Sequence, residues 1–398
     1  MISRFSVLAT VLMCTAGSTL APMGPAAANP SILFDLGTGR VIESDDALHR
    51  WYPASLTKLM TAYVAFRAVQ AGEVSLSSPV LISKLAAKLP PSKMGYPVGS
   101  ELTLDNALKI IMVKSANDVA HSIGESIAGS QAAFAQRMNA ESRRLGMTDS
   151  HWVNPHGLHD EGQYTSARDI GILAAALRRE FPQHSKYFSL EGLLAAGKQM
   201  PNHNNLIGRF EGADGMKTGY ICPSGFNLVA SATRNGRTLM AVVLGGESVD
   251  DRDEKAAQLL TQGFGSAPNS GPLLQELKTS AAQPIAPSDM TNQLCTKQGR
   301  EAKAKKQKQL QADIKAGRAP AKAASLLSDF SRPRQLVKIE LGGATGPMAK
   351  ALSEALAAAE AESKAEKRAD VPIPTWRPDL PPPTVTAVGQ GDGESRVQ

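Results

Sequence analysis

Apolar positions in this chain alternate, then crowd together, then alternate again. Residues 31–43 (SILFDLGTGRVIE) alternate β-formers around Gly37 and Gly39 and predict a hairpin. From Ser55 to Ala71 the apolar residues Leu56, Leu59, Met60, Tyr63, Val64, Phe66 and Val69 occupy nearly every face, which predicts a buried helix ended by Gly72. Residues 103–128 and 130–145 predict two more helices, 152–164 (WVNPHGLHDEGQY) a loop, and Thr165–Arg179 a helix with Asp169 in its first turns. In 213–247, GMKTGY predicts a short strand. FNLVASATRNGRTLMAVVLGG predicts two strands joined at Asn235-Gly236, a strong two-residue hairpin signal. Asp251–Gly263 predicts a helix packing back on that sheet.

After Gly265 the pattern fades. Residues 266–294 are rich in Pro, Ser, Ala and Gln, and 297–325 in Lys, Ala and Gln without a sizeable apolar stripe. Only 335–341 (QLVKIEL) predicts a strand, and 346–368 predicts a helix with Met348, Leu352 and Leu356 on one face. The Pro-rich end, 371–398, is expected to be disordered. Composition sharpens this division. Of 19 aromatic residues in 398, all but Phe330 and Trp376 precede residue 266. The formal charge is +6, and residues 297–322 alone hold nine basic and two acidic residues. A solvated spacer is the ordinary reading of that run, and contact with anionic lipid or acidic wall polymer is the alternative. Such a mild overall excess is no nucleic-acid signature. Three cysteines exclude a disulfide-built miniprotein and a Cys-rich zinc module.

Residues 1–28 have the form of an export signal. Arg4 supplies a positive start, Phe5–Cys14 an apolar stretch too short to span a bilayer, and Ala26-Ala27-Ala28 a small-residue cleavage site. The mature chain is then expected in the periplasm or cell envelope, an oxidising compartment. Cys222 and Cys295 are the two cysteines left after cleavage near Ala28, and are expected to pair.

Three short motifs carry chemistry. Ser55-Leu56-Thr57-Lys58 is S-x-x-K, which on a helix puts a hydroxyl and an amine on one face. A lysine whose pKa is lowered by burial and nearby positive charge can take the serine's proton. The helix N-terminus there favours a developing oxyanion. Ser115-Ala116-Asn117 is S-x-N: Ser115 could relay a proton, and Asn117 could hold a substrate carbonyl. Lys217-Thr218-Gly219 lies on a predicted strand. That edge could bind an extended peptide, with Lys217 and Thr218 on its carboxylate and Gly219 allowing close approach. Each motif alone is common. Their order, with gaps of 60 and 102 residues between Ser55, Ser115 and Lys217, is far more specific.

From about residue 30 to 265 the chain resembles the D-alanyl-D-alanine carboxypeptidases, low-molecular-weight penicillin-binding proteins of the serine peptidase type. PASLTKLMTAYV (53–64), KSANDVAHSIGESIAGSQAAF (114–134), NPHGLHDEGQYTSARDI (154–170) and DGMKTGY…GFNLVASA (214–232) carry the resemblance. It implies an α/β, β-lactamase/transpeptidase-like fold: a five-stranded antiparallel sheet flanked by helices, a helical subregion, and here a largely disordered C-terminal tail. The expected organisation is a signal peptide (1–28), a penicillin-binding domain (29–265), a linker (266–325), a strand and helix segment (326–370) and a disordered tail (371–398). The resemblance implies that Ser55 attacks the bond between two D-alanines of a peptidoglycan stem peptide, with Lys58 as base and Ser115 as proton relay. It gives the oxyanion hole to the backbone N–H groups of Ser55 and Tyr220, and the terminal carboxylate to Lys217, Thr218 and Arg252. It implies no metal or cofactor, and β-lactams as covalent inhibitors.

The chain also departs from the family. Asn202-His203-Asn204 stands where N-R-N is usual, and His203 is read as structural. Tyr220 follows K-T-G. The tail lacks the look of a β-rich second domain with an amphipathic anchor, so any membrane contact is expected to be peripheral. A β-lactamase would need a carboxylate in an E-x-x-L-N loop, and the corresponding loop has Asp160 and Glu161 without that pattern. A cross-link endopeptidase on the same fold and a non-catalytic wall-binding protein are the other readings.

Overall fold

The computed structural model describes residues 29–266, 271–278, 286–320 and 324–369. The expected export signal and the Pro-rich end lie outside the described residues. In chain order the elements are β1 (Ser31–Asp35), β2 (Val41–Asp45), α1 (Thr57–Gln70), β3 (Pro79–Leu81), α2 (Lys84–Lys88), β4 (Glu101–Thr103), α3 (Leu104–Val113), α4 (Asn117–Ala128), α5 (Gln131–Leu145) and α6 (Ala167–Glu180). They continue with β5 (Gly192–Ala195), β6 (Lys198–Pro201), β7 (Ala213–Ile221), β8 (Gly225–Arg234), β9 (Arg237–Gly246), α7 (Val249–Gly265), α8 (Thr291–Leu294), α9 (Lys297–Lys315), β10 (Leu336–Ile339) and α10 (Lys350–Ala369). The chain divides into two units, Met1–Leu352 and Ser353–Gln398. In the second unit, residues 353–369 are helical.

The main sheet is five-stranded and antiparallel, in the order β2-β1-β9-β8-β7. Successive side chains on a strand point to opposite faces, and here both faces are covered. Leu239, Ala241 and Val243 of β9 pack with Ala256, Leu259 and Leu260 of α7. Met240, Val242 and Leu244 face the larger core, built with α1 and α6. Two covered faces explain why β9 reads as a continuous apolar run rather than an alternating one. Each fully buried Leu or Phe contributes about 2 kcal/mol. The hairpin turn falls at Asn235-Gly236, both at positive φ (49° and 77°).

Two expectations need correction. The helix expected over 103–128 is two helices, α3 and α4. They are separated at Lys114–Ala116, where Ser115 takes φ 61°. The apolar run at 110–113 carried the helical pattern straight through a break that hydropathy does not mark. Ser55 precedes the long helix rather than opening it, in a 3-10 turn over Ala54–Leu56. The hairpin β5–β6 was not anticipated, and β10 pairs in parallel with β5, extending that hairpin to three strands. Within the stretch expected as a linker, Lys297–Lys315 form α9, none of whose residues is buried. No described helix is long and apolar enough to cross a membrane.

Candidate active site

Ser55 is held from three sides. Thr57 Oγ1 donates to the Ala54 carbonyl (2.7 Å), closing the 3-10 turn. Asn227 of β8 donates through Nδ2 to the Tyr52 carbonyl (3.0 Å) and accepts the Gly245 N–H (3.0 Å), tying the turn to the sheet. The turn also abuts β7, the edge strand. A Cβ on Gly219 would stand 3.0 Å from the Pro53 carbonyl oxygen and the Ser55 nitrogen, so only glycine lets the strand lie this close. On the other side Gly157, at φ 85°, backs the turn so closely that a Cβ would collide with the Ala54 carbonyl.

Lys58 lies one turn after Ser55 and is 0% exposed. Its Nζ is 3.0 Å from Ser55 Oγ and 2.9 Å from Asn117 Oδ1, and it also contacts the His156 carbonyl. Burial, then the Lys217 charge, pushes its pKa well below the ordinary lysine value, against the opposing pull of Asp118. The neutral amine has two N–H groups and one lone pair. Asn117 and His156 can accept both N–H groups, which leaves the lone pair for the Ser55 hydroxyl. The same arrangement holds the amine in place and aims its lone pair at Ser55 Oγ.

The break between α3 and α4 places Ser115. Its positive φ costs about 1 kcal/mol for a non-glycine residue. It delivers Oγ to within 2.9 Å of Lys217 Nζ. Among the described residues Ser115 is hydrogen-bonded to neither Ser55 nor Lys58 through its side chain. Lys217 is 1% exposed, also donates to the Thr218 carbonyl (3.0 Å), and has its pKa lowered to about 7 by burial and then by Arg252. Asn117 opens α4 and has little freedom. Its Oδ1 accepts from Lys58 and its Nδ2 donates to the Pro90 carbonyl (3.0 Å), leaving one amide N–H for a ligand. Asp118, buried, accepts N–H groups of Met94 and Gly95 and so fixes the loop over this end of the cleft.

A cleft of about 780 Å³ is lined by Ser55, Ser115, Asn117, Thr218, Gly219, Tyr220 and Arg252, among others. Tyr220 is 43% exposed and stacks on Phe226 (4.3 Å between centroids). Arg252, buried in the first turn of α7, pairs with Asp253 (3.0 Å) and donates to the His203 carbonyl (3.0 Å). The His203 ring is held neutral, its pKa lowered to about 4 by burial and then by Lys217 and other cations. Cys222 and Cys295 form a disulfide, and Tyr220 Oη lies 3.4 Å from the Cys295 sulfur. Three parts of the site escaped sequence reasoning. Asn227 looked like an ordinary strand residue, His156 acts through its backbone, and Arg334, from the far C-terminal segment, also lines the cleft. His156 and Asn227 fall in stretches that carry the family resemblance, but nothing in the sequence singled them out, and nothing pointed to Arg334.

The sequence was compared with known families and proteins. The family model for D-alanyl-D-alanine carboxypeptidase matches residues 18–248. The chain is 34% identical over 240 residues to "D-alanyl-D-alanine carboxypeptidase DacC" of Escherichia coli (strain K12), covering 58% of this chain and 60% of that protein. The chain thus spans about 60% of the length of the first curated relatives it matches. Penicillin-binding protein 5 from Haemophilus influenzae superposes with a TM-score of 0.57 at 32% identity, over 60% of this chain and 71% of that one. Penicillin-binding protein D2 from Listeria monocytogenes, in a cefotaxime-bound form, superposes with a TM-score of 0.55 at 25% identity, over 60% and 97%.

Proposed function

The chain belongs to the D-alanyl-D-alanine carboxypeptidase family, and from that premise we propose that it removes the terminal D-alanine from peptidoglycan stem peptides through an acyl-enzyme on Ser55. The observation that carries this reading is the buried Lys58 amine, 3.0 Å from Ser55 Oγ with its other directions occupied by acceptors. Neutral Lys58 takes the Ser55 proton as Oγ attacks the carbonyl of the penultimate D-alanine. The N–H groups of Ser55 and Tyr220 receive the oxyanion. Ser115, oriented by Lys217, relays that proton from Lys58 to the departing amine as the C–N bond breaks, which returns Lys58 to its neutral form. Lys217, Thr218 and Arg252 hold the terminal carboxylate, and the remaining Asn117 N–H meets a substrate carbonyl. Water, deprotonated by Lys58, then releases the shortened peptide.

β-Lactams fit the same cleft as covalent inhibitors. Among the described residues no Asp or Glu lines it, so no carboxylate there activates water for fast hydrolysis of the β-lactam adduct. Residues 1–28 act as an export signal cut near Ala28, and the Cys222–Cys295 bond supports an oxidising location such as the periplasm. The deciding experiment is D-alanine release from a pentapeptide ending in D-Ala-D-Ala, beside an S55A control and fluorescent-penicillin labelling. Release and a long-lived label should both vanish in S55A. Label without release would instead favour a cross-link endopeptidase, and no label at Ser55 a binding protein.

A further inference from the structure

Past Val249 and Arg252, which lie just beyond the region the family model matches, the cleft receives one more side chain from far down the chain. Arg334 lines it together with Pro201, Asn202 and His203. A built framework sets its position. Leu336 pairs with Gly192, which pairs with Pro201, so the strand register brings residue 334 to that rim. Arg332 forks onto Glu191 (3.0 and 2.5 Å), and the Gln335 N–H donates to the same carboxylate (2.7 Å). Ser328 and Arg209 exchange backbone and side-chain hydrogen bonds of 2.8–2.9 Å. Phe330 packs on Gly208, where a Cβ would stand 2.8 Å from the ring. The Arg334 guanidinium lies 4.1 Å from the centroid of that ring. The ring holds the cation in place without neutralising it. Glu191 is hydrogen-bonded by Arg332 and Gln335 and also feels the Arg334 charge, but among the described residues Arg334 makes no salt bridge of its own.

The charge of the cleft tells what Arg334 is for. Lys93, Lys114, Arg252 and Arg334 line it, and no acidic residue among the described ones does. One terminal carboxylate already has Lys217, Thr218 and Arg252. We propose that Arg334 is a specificity residue that pairs with a second carboxylate, on a side chain upstream of the D-Ala-D-Ala end, so that the protein selects acidic stem peptides over amidated ones. This rests on the carboxypeptidase reading above. Guanidinium and carboxylate match as a two-point fork, and for a half-exposed pair the preference should be about tenfold.

The test uses two peptides identical except that this side chain ends in a carboxylate or a carboxamide. In the full chain, kcat/KM should favour the carboxylate about tenfold, chiefly through KM. R334Q should reduce the ratio to near one. R334E should invert it towards a peptide carrying lysine at that position, an inversion that mere loosening of the segment cannot produce. The same ratios are read as Kd in S55A, without turnover. If the active chain cleaves neither peptide, the carboxypeptidase reading fails, while the S55A affinities still judge Arg334. A preference that survives R334Q, or S55A binding both peptides equally, overturns the proposal.

Discussion

The region 31–265 and the segment 271–341 meet at one cleft but are held together differently. The first encloses Lys58 and Lys217 in an apolar core formed on both faces of a sheet. The proposed chemistry depends on that burial, because desolvation is what makes an amine a base near neutral pH. The second buries few side chains, among them Leu274, Met290, Leu327 and Ile339. It is attached by a disulfide, a four-residue strand pairing and charged forks such as Arg332–Glu191. Buried apolar area fixes the geometry of the reacting groups to fractions of an ångström. Polar clamps suffice to hold a recognition group at a rim. On the role proposed for Arg334, a segment can add to specificity without resembling a domain.

The sharpest way to break this comparison is to empty the buried half. K58M should lower the acylation rate by about 10³-fold or more while the chain stays folded, read by stopped-flow labelling with penicillin. Retention of the rate would remove burial of Lys58 from the mechanism. A milder effect comes from pH. In the proposed mechanism neutral Lys58 is the active form, so kcat/KM should rise as pH climbs through its depressed pKa. Lys217 should act as a cation, so kcat/KM should fall as pH rises through about 7 in the free enzyme. The profile should thus be a bell whose basic limb lies far below the ordinary lysine value. A flat profile to pH 9 would show that Lys217 keeps its proton. The smallest effect on catalysis should come from the attached half. Cys222 and Cys295 are 73 residues apart in sequence, and opening their bond should lower unfolding stability by about 2–4 kcal/mol. Denaturant melts with and without reductant measure this, and turnover should change by less than about threefold. A collapse of turnover on reduction would place the segment inside the catalytic core rather than beside it.

Local chemistry was legible in the sequence. S-x-x-K sets a hydroxyl and an amine one turn apart whatever surrounds them, Asn235-Gly236 dictates its turn, and period-two and crowded apolar runs gave the sheet strands and α1. The pairing of β1 with β9, the break that lifts Ser115, the His156 carbonyl on Lys58 and the Asn227 tether could not be read this way. The helix break leaves no mark in hydropathy, and each of the others joins residues far apart in the chain, where no local propensity records a distant partner. The same holds for the charge states. Lys58 and Lys217 are ordinary lysines in any peptide, and their lowered pKa values exist only where folding removes water and sets cations beside them. Arg334 is the extreme case. In sequence it is one arginine in a weakly apolar tail, and only the register of β10 against β5 brings it to the cleft. Sequence determined which reactive groups the chain owns; tertiary structure decided which of them share a solvent-poor space, and therefore what they can do.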